Sequence, residues 1–119
     1  MKHILLVEDN MTNQKVTQIM LKRLHCEVTV AANGKQALEK FMNQHYDLIL
    51  MDCQMPEMDG FAATQAIRQQ EHDAHIPIIA LTGTALIEDI NRCKSVGMDD
   101  YLHKPIKLPE LQQALKRWF

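Results

Sequence analysis

The sequence has 119 residues and a mass of 13.7 kDa, which fits a single domain spanning residues 1–119. Its formal net charge of -2 excludes a general binder of nucleic acids or of membrane surfaces. The sequence carries no apolar run near the ~20 residues of a membrane span and no signal-peptide pattern, and its three cysteines form no CxxC pair. We therefore expect a soluble cytoplasmic domain without direct contact to nucleic acid or membrane.

Five short apolar runs alternate with segments of helical periodicity along the chain. The runs occupy residues 3–7, 26–31, 47–51, 76–81 and 100–103. The central runs are continuous rather than alternating, which is typical of parallel strands buried on both faces. Apolar residues repeat at helical spacing in the segments that follow them. Five βα units in a row predict an open, doubly wound parallel sheet with helices on both faces.

The first helical segment shows which face of that helix we expect to be buried. Val16, Ile19, Met20 and Leu24 are spaced so that they share one side of a helix. We expect this side to pack on the sheet.

Turn and cap residues give the boundaries of three helices. The pair Asn33-Gly34 is expected to start the second helix, and Asp59-Gly60 the third. Gly97 lies where the fourth helix should end. These positions support the same βα order as the apolar runs.

Polar and charged residues stand directly after four of the predicted strands. Glu8 and Asp9 follow the first strand, Asp52 the third, Thr82 the fourth and Lys104 the fifth. In an open parallel sheet, functional groups gather at the carboxyl ends of the strands, near the point where the strand order reverses. The sequence therefore predicts three carboxylates, a hydroxyl and an ammonium group along one edge of the sheet.

Three neighbouring carboxylates need a cation. Two unit charges about 4 Å apart repel each other by about 4 kcal/mol at an effective dielectric constant near 20. Without a cation, one of the three groups would have to stay protonated. Hard oxygen ligands with room for water suit Mg²⁺, so we expect a magnesium site at Glu8, Asp9 and Asp52.

Four segments together resemble the receiver domain of two-component response regulators. They are "LLVEDN", "LILMDCQMPEMDG", "ALTGTA" and "GMDDYLHKPI", and the likeness runs from Ile4 to the end of the chain. Each segment alone is a weak signal, but all four in this order and spacing are highly specific. The resemblance implies the flavodoxin-like strand order 2-1-3-4-5.

The resemblance also implies roles for the residues around the acidic cluster. Asp52 would accept a phosphoryl group from a phosphohistidine, and Asp9 and Asp52 would bind Mg²⁺ or Mn²⁺ directly. Glu8 would act on the metal through a water molecule, and the backbone carbonyl of Gln54 would complete the protein ligands.

Three further residues receive roles from the same resemblance. Lys104 would neutralise charge on the phosphoryl group, and the Thr82 hydroxyl would donate a hydrogen bond to it. Tyr101 would turn inward when Thr82 moves, so that the face of helix 4, strand 5 and helix 5 changes on phosphorylation. The peptide bond between Lys104 and Pro105 is expected to be cis.

Several functional interpretations remain open at this point. The motifs are most similar to receivers of hybrid histidine kinases, with a histidine kinase or a histidine phosphotransfer domain as partner. A stand-alone response regulator is an alternative, and no turnover beyond magnesium-dependent self-phosphorylation and dephosphorylation is expected. A haloacid-dehalogenase-type phosphatase with an aspartyl-phosphate intermediate, a flavodoxin and a receiver that only binds partners are further alternatives. The phosphatase lacks support because no acid stands two residues after Asp52, and Glu8 and Asp9 would repel the phosphate of a flavin.

Overall fold

The computed structural model describes residues 1–53, 55, 59–71, 75–83 and 87–119. Strands and helices alternate along these residues, as the sequence predicts. Their bounds in chain order are β1 Lys2–Val7, α1 Met11–Arg23, β2 Cys26–Ala31, α2 Gly34–Asn43, β3 Leu48–Asp52, α3 Gly60–Gln70, β4 Ile78–Thr82, α4 Ile87–Ser95, β5 Asp100–His103 and α5 Leu108–Trp118. No helix within the described ranges is both long and apolar enough to cross a membrane.

The five strands form one parallel sheet in the order β2-β1-β3-β4-β5, which confirms the predicted flavodoxin-like topology. The chain passes from β1 outward to β2 and then returns to the other side of β1 to form β3. The strand order therefore reverses between β1 and β3, and this is the place where parallel sheets of this type bind ligands.

Each face of the sheet is covered by its own group of helices. On one face, residues of α2, α3 and α4 such as Ala37, Ile67 and Cys93 pack on alternate strand residues. On the other face, Leu21 of α1 and Leu111 of α5 belong to the core. All five residues of β3 and of β4 are buried, which explains why these runs are continuous in the sequence.

The predicted helix boundaries at the turn residues are confirmed. Asn33 caps α2 by accepting a hydrogen bond from the backbone N–H of Gln36, and Asp59 caps α3 through the backbone N–H of Ala62. Gly97 follows α4 with φ of 101°, a left-handed conformation that glycine adopts without steric cost.

The prediction for the buried face of α1 is wrong in part. Val16 and Ile19 are 49% and 60% exposed, whereas Thr17 and Leu21 are the buried residues of this helix. The helix is therefore rotated so that a threonine faces the core, and periodicity of apolar residues alone could not show this. As a result, α1 presents apolar side chains to solvent.

Candidate functional site

The pairing of β1 with β3 brings the first two acids of the site together. Val7 lies opposite Met51 in the sheet, so Glu8 and Asp52 occupy the next position along each strand. Asp52 itself is the last residue of β3 and is 2% exposed, and Glu8 is also 2% exposed. The sheet therefore places two buried carboxyl groups side by side at its carboxyl edge.

The pairing of the next two strands brings a hydroxyl and an ammonium group to the same edge. Asp52 lies opposite Leu81, which puts Thr82 one residue further along β4. Thr82 in turn lies opposite His103, and its carbonyl oxygen accepts a hydrogen bond of 2.7 Å from the backbone N–H of Lys104. The register thus explains why strand-end residues far apart in sequence meet.

Lys104 contacts both buried acids. Its Nζ atom lies 2.9 Å from Oδ2 of Asp52 and 3.1 Å from Oε1 of Glu8. The lysine side chain is 25% exposed, so its charge is partly withdrawn from water. Because buried charges are costly unless paired, this ammonium group compensates part of the negative charge of the pocket.

The proximity of these groups shifts two pKa values. Burial raises the pKa of Glu8 to about 7, with a further contribution from the hydrogen bond and charge of Asp52. Burial alone would lower the pKa of Lys104, but the hydrogen bonds and charges of Asp52 and Glu8 outweigh it and raise the pKa above its ordinary value. The lysine is therefore charged at neutral pH.

Glu8, Asp9 and Asp52 form a group that fits a divalent cation. One carboxylate oxygen from each lies within 4.8 Å of the other two. Ligand oxygens sit at about 2.1 Å from Mg²⁺ and so lie within roughly 4 Å of one another, a spread close to the one seen here. Asp9 is the exposed member of the group. An all-oxygen, carboxylate-rich set suits Mg²⁺ and leaves positions for water.

The start of α1 holds Glu8 in place. The side-chain amide of Gln14 donates a hydrogen bond of 2.6 Å to the backbone carbonyl of Glu8, and the backbone N–H of Asn10 donates to Oε2 of Glu8 at 3.3 Å. Asn10 is also the N-cap of α1, accepting a hydrogen bond from the backbone N–H of Asn13. The roles of Asn10 and Gln14 were not predicted, although an asparagine directly after two acids is a sequence signal for a helix N-cap.

The remaining predicted site residues have different positions. Thr82 is buried at the end of β4, next to the acidic group. Tyr101 lies on β5 and is 41% exposed, so its ring is in an outward position in this structure. The peptide bond between Lys104 and Pro105 is cis, which confirms that prediction. Gln54, predicted to supply a carbonyl ligand, lies outside the described residues.

A groove beside the acidic pocket was not predicted. It has a volume of about 300 Å³ and is lined by residues of α1 and of the segment after β5, including Glu8, Val16, Met20, Lys104 and Ile106. It borders the exposed apolar side of α1, so the acidic pocket and an apolar surface are contiguous. Val16 and Ile19, which the helical periodicity predicts to be buried, are exposed beside this groove.

Fold and pocket together define the class of protein. The sheet is flavodoxin-like, and a lysine and three acids lie where its strand order reverses. This arrangement offers a candidate magnesium site that suits phosphate chemistry. The response regulator receiver domain family matches residues 4–116, and this chain belongs to that family. It is therefore a receiver domain of two-component signalling, and the phosphatase and flavodoxin alternatives are not favoured.

Similar proteins agree with this assignment. The chain is 47% identical to part of hybrid signal transduction histidine kinase B of Dictyostelium discoideum, over 96% of this chain but only 6% of that kinase. A crystal structure of the receiver domain of sensor histidine kinase PA1611 from Pseudomonas aeruginosa is 51% identical, with a TM-score of 0.91 over 98% of this chain and 96% of that one. That receiver has a magnesium ion coordinated in its active site cleft.

One further similar structure is a complex. It contains the Saccharomyces cerevisiae histidine phosphotransfer protein Ypd1 and the receiver domain of its downstream response regulator Ssk1. The match has 29% sequence identity and a TM-score of 0.91, and it covers 98% of this chain and 88% of that one. One of the similar structures is thus a receiver domain in complex with a phosphotransfer protein.

Proposed function

We propose that Asp52 accepts a phosphoryl group from a phosphohistidine of a partner protein. The observation that supports this most strongly is the position of Lys104, whose Nζ atom contacts Asp52 at 2.9 Å and Glu8 at 3.1 Å. A lysine shared by these two acids provides positive charge where a phosphoryl group on Asp52 would lie.

Glu8, Asp9 and Asp52 would hold Mg²⁺, or Mn²⁺ in its place, with the backbone carbonyl of Gln54 as a further ligand. The carboxylate oxygens of the first three residues fit such an ion. When bound, the ion supplies positive charge beside the phosphoryl oxygens. Its presence would also relieve the repulsion among the acids, which the single charge of Lys104 only partly offsets.

The residues of this chain would act in a single in-line displacement. A carboxylate oxygen of Asp52 attacks phosphorus, the phosphorus–nitrogen bond to the partner histidine breaks, and the histidine leaves with the electron pair and takes up a proton. Lys104 donates hydrogen bonds to the phosphoryl oxygens as charge develops. The Thr82 hydroxyl donates to the phosphorylated product, because it lies at the end of the neighbouring strand.

The exposed apolar side of α1 is the docking face that we propose for the partner. Met11, Val16 and Ile19 are 69%, 49% and 60% exposed, and the groove beside them opens onto Glu8 and Lys104. A domain that brings a histidine side chain to Asp52 must cover the surface around the pocket. An apolar surface there would be buried in the complex, which favours association.

The phosphorylated form would signal through β5 and the adjoining helices. Tyr101 is exposed on β5 in this structure, and an inward turn of its ring would change the face formed by α4, β5 and α5.

We further propose that residues 1–119 are the receiver domain of a hybrid histidine kinase and belong to a cytoplasmic part of it. The partner would be a histidine kinase or a histidine phosphotransfer domain. Similarity to the Dictyostelium kinase supports a hybrid kinase, rather than a stand-alone regulator, as the protein to which this domain belongs.

Intact-mass analysis after incubation with acetyl phosphate tests the proposed acceptor. The unaltered chain should gain one phosphoryl group with Mg²⁺ and none after chelation of the metal. Asp52→Asn should gain none, whereas the matched variant Asp47→Asn, at the opposite edge of the sheet, should gain as much as the unaltered chain. Uptake by Asp52→Asn equal to that of the unaltered chain would contradict the proposal.

A single charge on α1 tests the proposed docking face. Ile19→Asp should slow phosphoryl transfer from a histidine phosphotransfer protein that phosphorylates the unaltered chain, but should leave uptake from acetyl phosphate unchanged. Met42→Asp is the matched control, because Met42 is also 61% exposed but lies on α2, on the other face of the sheet. Equal slowing by both variants would contradict docking on α1.

A further inference from the structure

Gly60, the first residue of α3, lies against the backbone of the proposed phosphoacceptor. A Cβ atom added at Gly60 would lie 2.1 Å from the backbone oxygen of Asp52 and 2.9 Å from its carbonyl carbon. It would also lie 2.9 Å from Cα of Cys53. These are contacts with main-chain atoms, which cannot turn aside as the end of a flexible side chain can.

The peptide group between Asp52 and Cys53 has neighbours on more than one side. The backbone N–H of Cys53 donates a hydrogen bond of 3.1 Å to the carbonyl of Leu81 in β4. The backbone N–H of Gly60 donates a hydrogen bond of 3.4 Å to the carbonyl of Cys53, which belongs to the next peptide group. The backbone at Asp52 and Cys53 is therefore held between β4 and the start of α3, and a side chain at residue 60 would push directly on the Asp52 carbonyl.

Gly60 is itself held by a buried threonine. The hydroxyl of Thr64 donates a hydrogen bond of 2.7 Å to the carbonyl of Gly60, and Thr64 is fully buried. This bond lies within the first turn of α3 and fixes the end of the helix that contacts the Asp52 backbone.

Two of the other three glycines make no such close approach to backbone atoms. A Cβ atom at Gly83 would meet nothing within 4 Å. Gly97 has a positive φ of 101°, so glycine is needed there for its backbone conformation, and a Cβ would approach the flexible side chain of Arg68 at 3.2 Å. At Gly60 the requirement is close packing of one backbone on another.

We propose that Gly60 is a positioning residue that sets the Asp52 carboxylate relative to Glu8 and Lys104. The inference rests on the proposed phosphoacceptor function and deepens it. A side chain at residue 60 would force α3 and the end of β3 apart by about 1 Å, and a misplacement of that size can slow a reaction on the order of 100-fold. Thr64 supports the position through its bond to the Gly60 carbonyl.

Gly60→Ala tests this proposal, with Gly97→Ala as the matched control. Both variants add one methyl group and both should lower stability, but Gly97 lies at the opposite edge of the sheet. We expect Gly60→Ala to slow phosphoryl uptake from acetyl phosphate about 100-fold. It should also weaken Mg²⁺ binding, measured by isothermal titration calorimetry, because Asp52 is one of the proposed ligands. Gly97→Ala should change neither quantity while its urea midpoint falls.

A milder variant keeps the test available if Gly60→Ala does not fold. Thr64→Val removes only the hydrogen bond to the Gly60 carbonyl and should slow phosphoryl uptake measurably but less than Gly60→Ala does, because it loosens the start of α3 without inserting a side chain. Folded Gly60→Ala or Thr64→Val with unchanged uptake and unchanged Mg²⁺ affinity would overturn the positioning role. If the unaltered chain binds no Mg²⁺ and takes up no phosphoryl group, the proposed function fails instead, and the role of Gly60 falls with it.

Discussion

The two edges of the sheet each hold a basic side chain in contact with two acids, an arginine at the amino edge and a lysine at the carboxyl edge. At the amino edge, Arg68 donates to Glu71 and Asp99 at 2.7 and 2.8 Å and to the carbonyls of Ile76 and Gly97. At the carboxyl edge, Lys104 is one cation beside three carboxylates.

The acids at the amino edge also have backbone partners. Glu71 accepts a hydrogen bond of 2.7 Å from the backbone N–H of Ile76, and Asp99 accepts one of 2.8 Å from that of Ile78. With the five N–H groups of its guanidinium used, Arg68 ties α3 to the starts of β4 and β5. An arginine whose N–H groups all have partners within the fold indicates a structural role, whereas three carboxylates near enough to share one ion indicate a place for a cation.

The largest expected effect is on reactivity at the carboxyl edge. Lys104→Met should slow phosphoryl uptake from acetyl phosphate by about 100-fold or more, because it removes the charge that faces the developing phosphoryl oxygens. Uptake is measured by intact mass over time. Lys107→Met removes an exposed lysine three residues away and should have no effect. If Lys104→Met reacted as fast as Lys107→Met, the proposed role of the lysine would be wrong.

The next effect is on stability at the amino edge. Arg68→Met should lower the free energy of unfolding by about 3 kcal/mol, because it leaves two partly buried carboxylates without their cation. Urea denaturation measures this, with the exposed Arg23→Met as a control that should change stability by less than about 0.5 kcal/mol. The folded Arg68 variant should still take up a phosphoryl group normally; slow uptake would show that the two edges are coupled.

The effect of added Mg²⁺ on stability should depend on the carboxyl edge and not on the amino edge. At 100 times its dissociation constant, Mg²⁺ should raise the free energy of unfolding by about 2.7 kcal/mol in the unaltered chain and equally in Arg68→Met. Asp9→Asn should need a higher Mg²⁺ concentration for the same gain, because it loses one of the three acids. A gain that is unaffected by Asp9→Asn would place the ion elsewhere.

The smallest effect concerns Asp47, at the amino edge beside β1. A hydrogen bond from the backbone N–H of His3, opposed by burial and aided by His45 and Lys2, lowers the pKa of Asp47. A lowered pKa stabilises the fold above the ordinary value near 4, and this contribution is lost as the pH falls through the folded-state pKa.

Asp47→Asn should therefore lower the free energy of unfolding by about 1 kcal/mol at neutral pH. Urea midpoints of the two proteins should converge as the pH falls from about 4 through the lower pKa of folded Asp47, below which the unaltered side chain is also neutral. A difference that stays constant down to pH 2 would attribute the effect to packing rather than to charge.

The sequence predicted the fold and the members of the acidic cluster because both depend on local patterns. Continuous apolar runs indicated buried parallel strands, and the residues after them had to share one edge. Glu8, Asp9, Asp52 and Lys104 could therefore be placed without any knowledge of side-chain geometry.

Features that depend on long-range packing could not be predicted in this way. The rotation of α1 buries Thr17 and exposes Ile19. The helix has apolar residues on more than one side, and packing against the sheet determines which side is buried. The contacts of Arg68 with Gly97 and Asp99 join residues about 30 positions apart. The approach of Gly60 to the Asp52 backbone also became visible only in three dimensions.

Locating the phosphoryl group within the chain tests the central claim most directly. After incubation with acetyl phosphate and Mg²⁺, borohydride reduces an aspartyl phosphate to homoserine, and peptide mass spectrometry identifies the changed residue. We predict homoserine at residue 52 and at no other acid, and none when Mg²⁺ is chelated. Modification at Glu8 or Asp9 in place of Asp52, or no modification under conditions in which the intact mass shows a phosphoryl group, would contradict the assignment of Asp52 as the acceptor.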